Sequence, residues 1–305
     1  MRLNQLRDFI HIVEAGGIRA AARERGVSQP AVTKTLHALE SDVGVRLVHR
    51  TAQGILLTPS GRVFLARARA ALSQLSKATE ELAAIAGKMD GNVAFGASAA
   101  GLTIVPDAVK AFQAKYPRSY VRIVEGAPRA LLPLLRDETL DFFIGPKPVG
   151  ELASEFKLRP LFRLPLAVVA RRGHPGRDAT KLDQLAGYPW LLFSSSGWRG
   201  SMLEQAFVAS QLAQPAQIVQ CESYATAIAL LAQSDTLGLI PRPEIAHSRL
   251  GPQLTEVAVE GRLPEVVFAM YARADGVLTQ PAQMIIKALT SGARRLTERN
   301  HIESD

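Results

Sequence analysis

One cysteine, Cys221, stands in 305 residues. No intrachain disulfide can form, and a metal site built from cysteines alone is out of reach. So few thiols fit a reducing compartment, and the expected location is cytoplasmic. No run of about 18 apolar residues occurs, the length that a membrane-spanning helix needs. The opening segment MRLNQLRDFIHIVEAGG carries Asp8 and Glu14 and has no long apolar core, so it does not read as a secretory signal. The zinc-protease motif H-E-x-x-H, the phosphate loop G-x-x-x-x-G-K-[ST] and a dinucleotide fingerprint are missing. No catalytic residue and no metal ligand is assigned. Tandem repeats and low-complexity tracts are also absent.

What is present is charge, unevenly placed. The 36 Lys+Arg exceed the 28 Asp+Glu by 8. Residues 1–90 hold 13 basic and 8 acidic residues (13 − 8 = +5), and residues 91–305 hold 23 and 20 (23 − 20 = +3). The basic excess is concentrated at the N-terminal end, which favours a polyanionic partner there; ordinary solubility is the other explanation.

Leu3, Leu6, Phe9, Ile10 and Val13 recur at helical spacing over Leu3 to Glu14, and Gly16-Gly17 ends that helix. A second helix over about Ile18–Arg25 carries Ala20, Ala21 and Ala22, small enough for close packing, and stops at Gly26. A third starts after Ser28, an N-cap residue, with Pro30 in its first turn and an apolar stripe of Val32, Leu36, Leu39 and Val43. Gly44 closes it. VRLVHRTAQGILLTPSG then reads as a hairpin around Thr51–Gly54, a wing beside the third helix. Thr58 and Pro59 start a long helix running to about Ile85. Its Leu65, Ala68, Leu72, Leu75, Thr79, Leu82 and Ala86 alternate spacings of 3 and 4, the seam of a coiled coil. A partner helix is the expectation, and packing on its own domain the alternative.

A short helix, a tight turn and a second helix with polar residues near its start are the parts of a helix-turn-helix DNA reader. Gln29 suits an adenine edge, Thr33 a thymine methyl or a base acceptor, and Lys34 a guanine edge or a phosphate. Pro30 and His37 lie on the same helix and are also candidate DNA contacts. Ser28 and the N–H groups around it suit a phosphate, as do Arg19, Arg50 and Thr51, the last two at the wing. Taken singly, each of these residues is ordinary helix or loop surface. Their combination with a wing, a basic excess and a long regular helix carries the reading.

After the linker AGKMDGN, strand-like runs (NVAFGAS, YVRIVEG, LDFFIG, PLAVVAR, WLLFSSS, LGLIP, VVFAMYAR) alternate with helical stretches over Ile104–Lys115, Ala130–Asp137, Ser201–Ala209 and Ala225–Gln233. That alternation implies α/β units on a mostly parallel sheet. The charged tail RRLTERNHIESD is expected to fray.

The stretch AAARERGVSQPAVTKTLHALESDVGVRLVHRTAQGILLTPSG resembles the N-terminal region of LysR-type transcriptional regulators. The resemblance rests on Ala21-Ala22, Val27-Ser28-Gln29-Pro30, Leu36, Leu39-Glu40, Gly44, Leu47, Arg50, Leu57-Thr58 and Gly61. GNVAFGAS, LRDETLDFFIG and LGLIPRP resemble the family's effector domain, so the likeness covers essentially the whole chain. One departure is Gly17, where the family usually caps its second helix with Ser. The implied fold is α/β: a winged helix-turn-helix over residues 1–58, a coiled-coil linker helix over 59–90, and an effector domain over 91–305 similar to periplasmic binding proteins. Its first subdomain would take about 91–161 with 268–300, and its second about 162–267.

The resemblance further implies a dimer of dimers on pseudo-palindromic promoter DNA, contact with RNA polymerase if it activates, no membrane partner, and a small effector between the two subdomains. Ligands in such folds lie beyond strand ends and against helix starts. Two places fit: Ser98-Ala99-Ala100 and Ser194-Ser195-Ser196, whose hydroxyl and N–H groups suit a carboxylate or sulfonate. Trp198 would stack on an aromatic ring and Arg199 would pair with an anion. Phe193, Gly145 and Pro146 are carried over from the family as strand ends on the same cleft. FSSSGWRGSM and CESYATAIALLAQSDTLGLIPR look most like members that respond to aromatic acids or sulfonates. No cofactor is implied.

Two other functions compete. GASAA approaches the G-x-S-x-G nucleophile elbow of an esterase but ends in Ala. A transporter's solute-binding protein would share the two α/β subdomains but not the helix-turn-helix. Cys221 beside Glu222 reads as an inert thiol before a redox sensor, since a disulfide switch needs a second cysteine.

Overall fold

The computed structural model describes residues 1–51, 54–85, 91–148, 150, 152–193, 199–242 and 253–302. The chain divides into two units, residues 1–90 with 133–140, and residues 91–132 with 141–305.

In the first unit, α1 (Leu3–Glu14), α2 (Ile18–Glu24) and α3 (Gln29–Val43) share one core of Leu6, Phe9, Ile12, Ala21, Ala22, Val32, Leu36 and Leu39. The stripe on α1 differs from the expected one. Leu3 is exposed, Ile10 and Val13 are half-buried, and Ile12 takes the core position. α1 packs against both α3 and the long helix that follows the wing, and two neighbours require a wider apolar arc than one. Gly26 and Gly44 end α2 and α3 with φ of +64° and +73°, the left-handed conformation that closes helices. Ser28 caps α3, its Oγ accepting from Ala31 N–H at 3.4 Å.

The wing is an antiparallel pair, β1 (Val48–Thr51) and β2 (Gly54–Leu57), with Val48 opposite Leu57 and Thr51 opposite Gly54. Its tip, Ala52 and Gln53, lies outside the described residues. Its base is clamped from two sides. Glu40 of α3 is buried and its Oε1 accepts from Leu47 N–H at 2.8 Å and Val48 N–H at 3.3 Å. From the other side Thr58 N–H donates to Leu47 O at 3.0 Å, and Thr58 Oγ1 donates to Arg46 O at 2.8 Å while accepting from Gly61 N–H at 2.9 Å.

α4 (Pro59–Ile85) begins at that clamp. Leu65 and Ala68 of its apolar seam are buried in the unit's own core, with Leu72 packed at its edge, whereas Leu75 and Leu82 are 47% and 67% exposed. Packing on its own domain therefore accounts for the first positions of the seam and not for the later ones. Residues 133–140 join this unit through Lys77 Nζ to Glu138 Oε2 at 3.3 Å and Arg69 to Asp137 at 3.9 Å.

The second unit is built on one mixed sheet. Its strands are β3 (Asn92–Ala97), β4 (Tyr120–Glu125), β5 (Phe142–Pro146), β6 (Phe156–Arg171), β7 (Trp190–Leu192), β8 (Ile218–Gln220), β9 (Leu237–Pro241), β10 (Leu254–Val257) and β11 (Glu265–Arg273). The order is β4-β3-β5-β11-β6-β9-β7-β8, with β10 on β6. β4, β3 and β5 run parallel, as do β8, β7 and β9. α5 (Val105–Lys115) and α9 (Gln280–Ile302) pack on one face of the first half, where Val93, Phe95, Phe112, Phe142, Ile285 and Leu289 share a core. On the opposite face α6 (Pro128–Arg136) sets Leu131 against Gly96, where a Cβ would lie 3.0 Å from the leucine methyls. In the second half, Val168, Trp190 and Leu192 pack with α7 (Met202–Ala209) on one face. Ala167, Val169 and Leu191 pack with α8 (Tyr224–Gln233) on the other. Both faces are covered, as a doubly wound sheet requires.

β6 is the shared element. Residues 156–165, except Leu161, pair with β11, and the later ones pair with β9 and β10. Phe162, Leu164 and Leu166 lie in the core of the first half, and Ala167–Ala170 divide between the two cores of the second half, so the packing changes over at Leu166/Ala167. The C-terminal segment corrects another expectation: α9 continues through Ile302, so the stretch expected to fray is helical up to there.

The Gly61 position yields a test of the clamp. A Cβ there would stand 2.0 Å from Leu47 O, so Gly61→Ala is expected to destabilise the first unit by about 1–3 kcal/mol. Hydrogen exchange at the amides of residues 1–57 is the measurement, because Trp190 and Trp198 both lie in the second unit and their fluorescence would miss the change. Unchanged protection would show that the Leu47 carbonyl yields freely.

Candidate functional site

The surface of α3 is divided cleanly. Val32, Leu36 and Leu39 face the core, while Gln29, Pro30, Lys34 and His37 are exposed and Thr33 half-exposed on the opposite side. Residues 29, 33 and 37, and 30 and 34, are one helical turn apart, so five candidate DNA residues share one face. Ser28 is exposed at its start. Arg50 and Thr51 are exposed on β1, and Arg19 is exposed in the first turn of α2.

Two contacts on this face were not foreseen from the sequence. Arg50 Nη2 lies 3.3 Å from His37 Nε2, and His37 Nδ1 lies 3.7 Å from Glu40 Oε2. A signal for Glu40 existed. It follows Leu36 by four residues and precedes Val43 by three, and a carboxylate inside an apolar stripe must have bonding partners.

In the second unit the C-terminal ends of three neighbouring parallel strands line up. Ser98 N–H donates to Ile144 O at 2.8 Å, and Gly126 N–H donates to Ala97 O at 3.2 Å. This sets Ser98 after β3 beside Gly145 and Pro146 at the end of β5, with Gly126 after β4 on the other side. Ser98 is 8% exposed, and its Oγ is buried with no hydrogen-bond partner among the described residues. Ala99 is half-buried at the start of a 3₁₀ turn over Ala99–Ile104; Ala100 belongs to the same turn, and its side chain is outside the described set. Gly145 is buried under α6, where a Cβ would meet Pro128 Cγ at 3.3 Å. Gly126 was missed because a residue without a side chain announces no chemistry; the only cue was Gly-Ala-Pro between a strand and a helix.

Phe193, at the end of β7, is 45% exposed and stands edge-on to Tyr224, ring centres 6.2 Å apart. Arg199 is exposed just before α7, which is capped by Ser201 Oγ accepting from Glu204 N–H at 3.0 Å. Ser194, Ser195, Ser196 and Trp198 lie outside the described residues. Two hollows in the described surface are elsewhere. One of about 440 Å³ is lined by Arg172, Arg177, Asp178, Leu254 and Thr255; the other, about 550 Å³, lies between Val43, Val45, Val63 and Phe64. Neither is lined by Ser98 or Phe193.

Two other residues of chemically versatile type are committed to structural hydrogen bonds. His174 is buried; Nδ1 accepts from Gly176 N–H at 2.9 Å and Nε2 lies 3.1 Å from Asp235 O. Cys221 donates its thiol to Ser223 O at 3.3 Å.

The bacterial regulatory helix-turn-helix protein, lysR family, matches residues 3–62, and the LysR substrate binding domain matches residues 86–294. The chain belongs to the LysR family. It is a LysR-type transcriptional regulator with a helix-turn-helix DNA-binding domain and an effector-binding domain, and not an enzyme. The HTH-type transcriptional regulator PcaQ of Agrobacterium fabrum is 29% identical over 301 residues, 97% of this chain and 96% of that one. Among solved structures, full-length CbnR complexed with the target DNA superposes with a TM-score of 0.70 at 23% identity, covering 97% of this chain and 99% of that one. Full-length LysG from Corynebacterium glutamicum with bound effector Arg gives 0.61 at 18% identity, covering 97% and 99%. At these identities the two structures establish the regulator's fold, including the two-subdomain effector domain. No helix of the described residues is long and apolar enough to cross a membrane.

One hydrogen bond fixes the end of β5. Tyr271 on β11 stacks on Phe143 with ring centres 4.2 Å apart and donates its hydroxyl to Pro146 O at 2.5 Å. Burial pushes its phenol well above the usual tyrosine range. A folded value above the unfolded one means the associated stability is complete below about pH 10 and is lost as pH rises beyond it. Tyr271→Phe is therefore expected to cost about 1 kcal/mol near neutral pH and to lessen the alkaline loss. Denaturant unfolding followed by tryptophan fluorescence at pH 7 and pH 10.5 is the check. An equal alkaline loss in both proteins would exclude Tyr271 as its source.

Proposed function

We propose that this LysR-type regulator reads pseudo-palindromic double-stranded promoter DNA through α3 and the wing, as a dimer of dimers. A small organic anion, an aromatic acid or a sulfonate, bound where β3, β5 and β7 end, sets its activity. The observation that carries the DNA half is the polar face of α3, opposite its buried stripe and beside a wing arginine. In this assignment Gln29, Thr33 and Lys34 meet base edges, Pro30 borders them, His37 shares their helix face, and Arg19, Ser28, Arg50 and Thr51 lie against phosphates. The solved CbnR complex with its target DNA supports the same general use of the fold. Exposed Leu75 and Leu82 on α4 support a partner helix. Acting on promoter DNA fits a cytoplasmic protein, with RNA polymerase a further contact if it activates.

For the effector half, the carrying observation is the buried Ser98 hydroxyl at a strand end, which has no hydrogen-bond partner among the described residues. Burying a hydroxyl without a partner is costly, and a ligand oxygen removes that cost. Ala99, Ala100, Gly145, Pro146 and Phe193 would border the ligand, with Ser194–Ser196, Trp198 and Arg199 approaching from the second subdomain. LysG with its bound effector supports a small ligand for the fold, not this particular class.

Two tests follow. Gln29→Ala should lose about 1–3 kcal/mol of discrimination between an operator fragment and scrambled DNA, measured by fluorescence anisotropy across a salt series; a parallel loss on both DNAs would remove Gln29 from base reading. Benzoate and benzenesulfonate should raise the thermal midpoint of the wild type through mass action, and Ser98→Ala should shrink the rise. An equal rise in both proteins would place the anion elsewhere.

A further inference from the structure

The wing arginine does not hang free. Arg50 Nη2 is 3.3 Å from His37 Nε2, His37 Nδ1 is 3.7 Å from Glu40 Oε2, and the other oxygen of Glu40 holds the Leu47 and Val48 amides. Glu40 has a side chain 7% exposed, while that of His37 is 52% exposed. A buried carboxylate thus fixes the wing's first strand with one oxygen and faces an imidazole with the other. The imidazole meets the wing cation Arg50.

The chemistry sets a single working arrangement. A guanidinium nitrogen is only a donor, so the His37 nitrogen facing it must carry a lone pair. That requires the proton on Nδ1, the side that faces Glu40. Which imidazole nitrogen holds the proton is set by what the other atom meets, and the carboxylate favours this tautomer. We propose that His37 and Glu40 are positioning residues for Arg50. Together they hold the wing guanidinium beside α3 before DNA arrives, and His37 makes no DNA contact of its own. This deepens the reading of Arg50 as a DNA contact and rests on it. Pre-setting a long, flexible side chain removes ordering entropy from the binding step.

A double-mutant cycle on the full chain, with operator binding measured across a salt series, decides the matter. Arg50→Ala is expected to weaken binding about tenfold and to flatten the salt slope by about one. His37→Ala should weaken it about threefold. The double variant should be no weaker than Arg50→Ala alone, because a positioning residue has nothing left to position. Glu40→Gln keeps an acceptor for Leu47 and Val48, but its amide favours the wrong tautomer of His37. It should reproduce the His37→Ala loss while hydrogen exchange at Leu47 and Val48 stays slow, which separates the effect from unfolding. His37→Gln, whose side-chain oxygen can accept from Arg50, should restore most of the affinity. If the His37→Ala loss persists in the Arg50→Ala background, His37 touches DNA itself and the proposal falls. A different failure is recognisable: if Arg50→Ala changes neither affinity nor salt slope, the wing contact itself is wrong, and the proposal falls with it.

Discussion

The DNA-binding unit depends on three backbone residues, Arg46 to Val48, where α3 hands over to the wing. Leu47 and Val48 are buried, so their peptide groups leave water and must be paired. Glu40 takes the two N–H groups and Thr58 satisfies the carbonyls of Arg46 and Leu47. This explains a carboxylate in the middle of an apolar stripe, which is tolerated only where hydrogen bonds replace its hydration. It also ties α3, the wing and the first turn of α4 to one piece of backbone, so their orientations are set together. Gly61 lets α4 come that close. At the far end of the wing, Gly54 rests on the turn between α1 and α2, where a Cβ would stand 2.3 Å from Gly16 O. The wing is thus held at its base by Glu40 and Thr58 and at its far end by a close backbone approach, while Leu47, Val48, Ile55 and Leu57 pack on the unit's core.

The periodic parts of this fold were legible and the irregular ones were not. α1 to α4 and the hairpin announced themselves by spacing and by Ser28, Gly26, Gly44 and Thr58 at their ends. The first half of β6 did not, because Arg159, Pro160, Arg163 and Pro165 interrupt any strand pattern. Pro160 has no N–H for the ladder, and the structure absorbs it in a bulge: Phe268 faces Phe162 and Ala269 faces Pro160, skipping Leu161. β8 and β10, three and four residues long, carry too few positions for alternation to show. The end of α9 looked like a polar tail because its anchoring residues, Ile285, Leu289 and Ala293, lie earlier in the helix.

The two halves of the candidate site differ in the same way. A DNA face is made of side chains on one regular helix, so Gln29, Thr33 and Lys34 were visible as a pattern. The network behind it joins residues 37, 40, 47 and 50 through a turn, and spacing alone does not reveal which oxygen meets which amide. The proposed effector end is made of strand termini, where position matters more than residue type. Ser98 was legible because it carries a hydroxyl there, while Gly126 occupies the equivalent place on β4 and contributes only backbone.

The length of α4 carries an argument that its periodicity alone does not. A repeat of 3 and 4 is what any helix shows when it packs along one side, and Leu65, Ala68 and Leu72 are already accounted for by the chain's own core. Their regularity therefore says nothing about a partner. Beyond Leu72 the helix has left that core, yet Leu75 and Leu82 continue the seam on either side of Thr79, and both face solvent. Covering a leucine is worth about 1.5–3 kcal/mol, and a helix that needed only to support its own domain would place polar residues there. The excess length, and not the seam as a whole, is what supports a second copy of the helix.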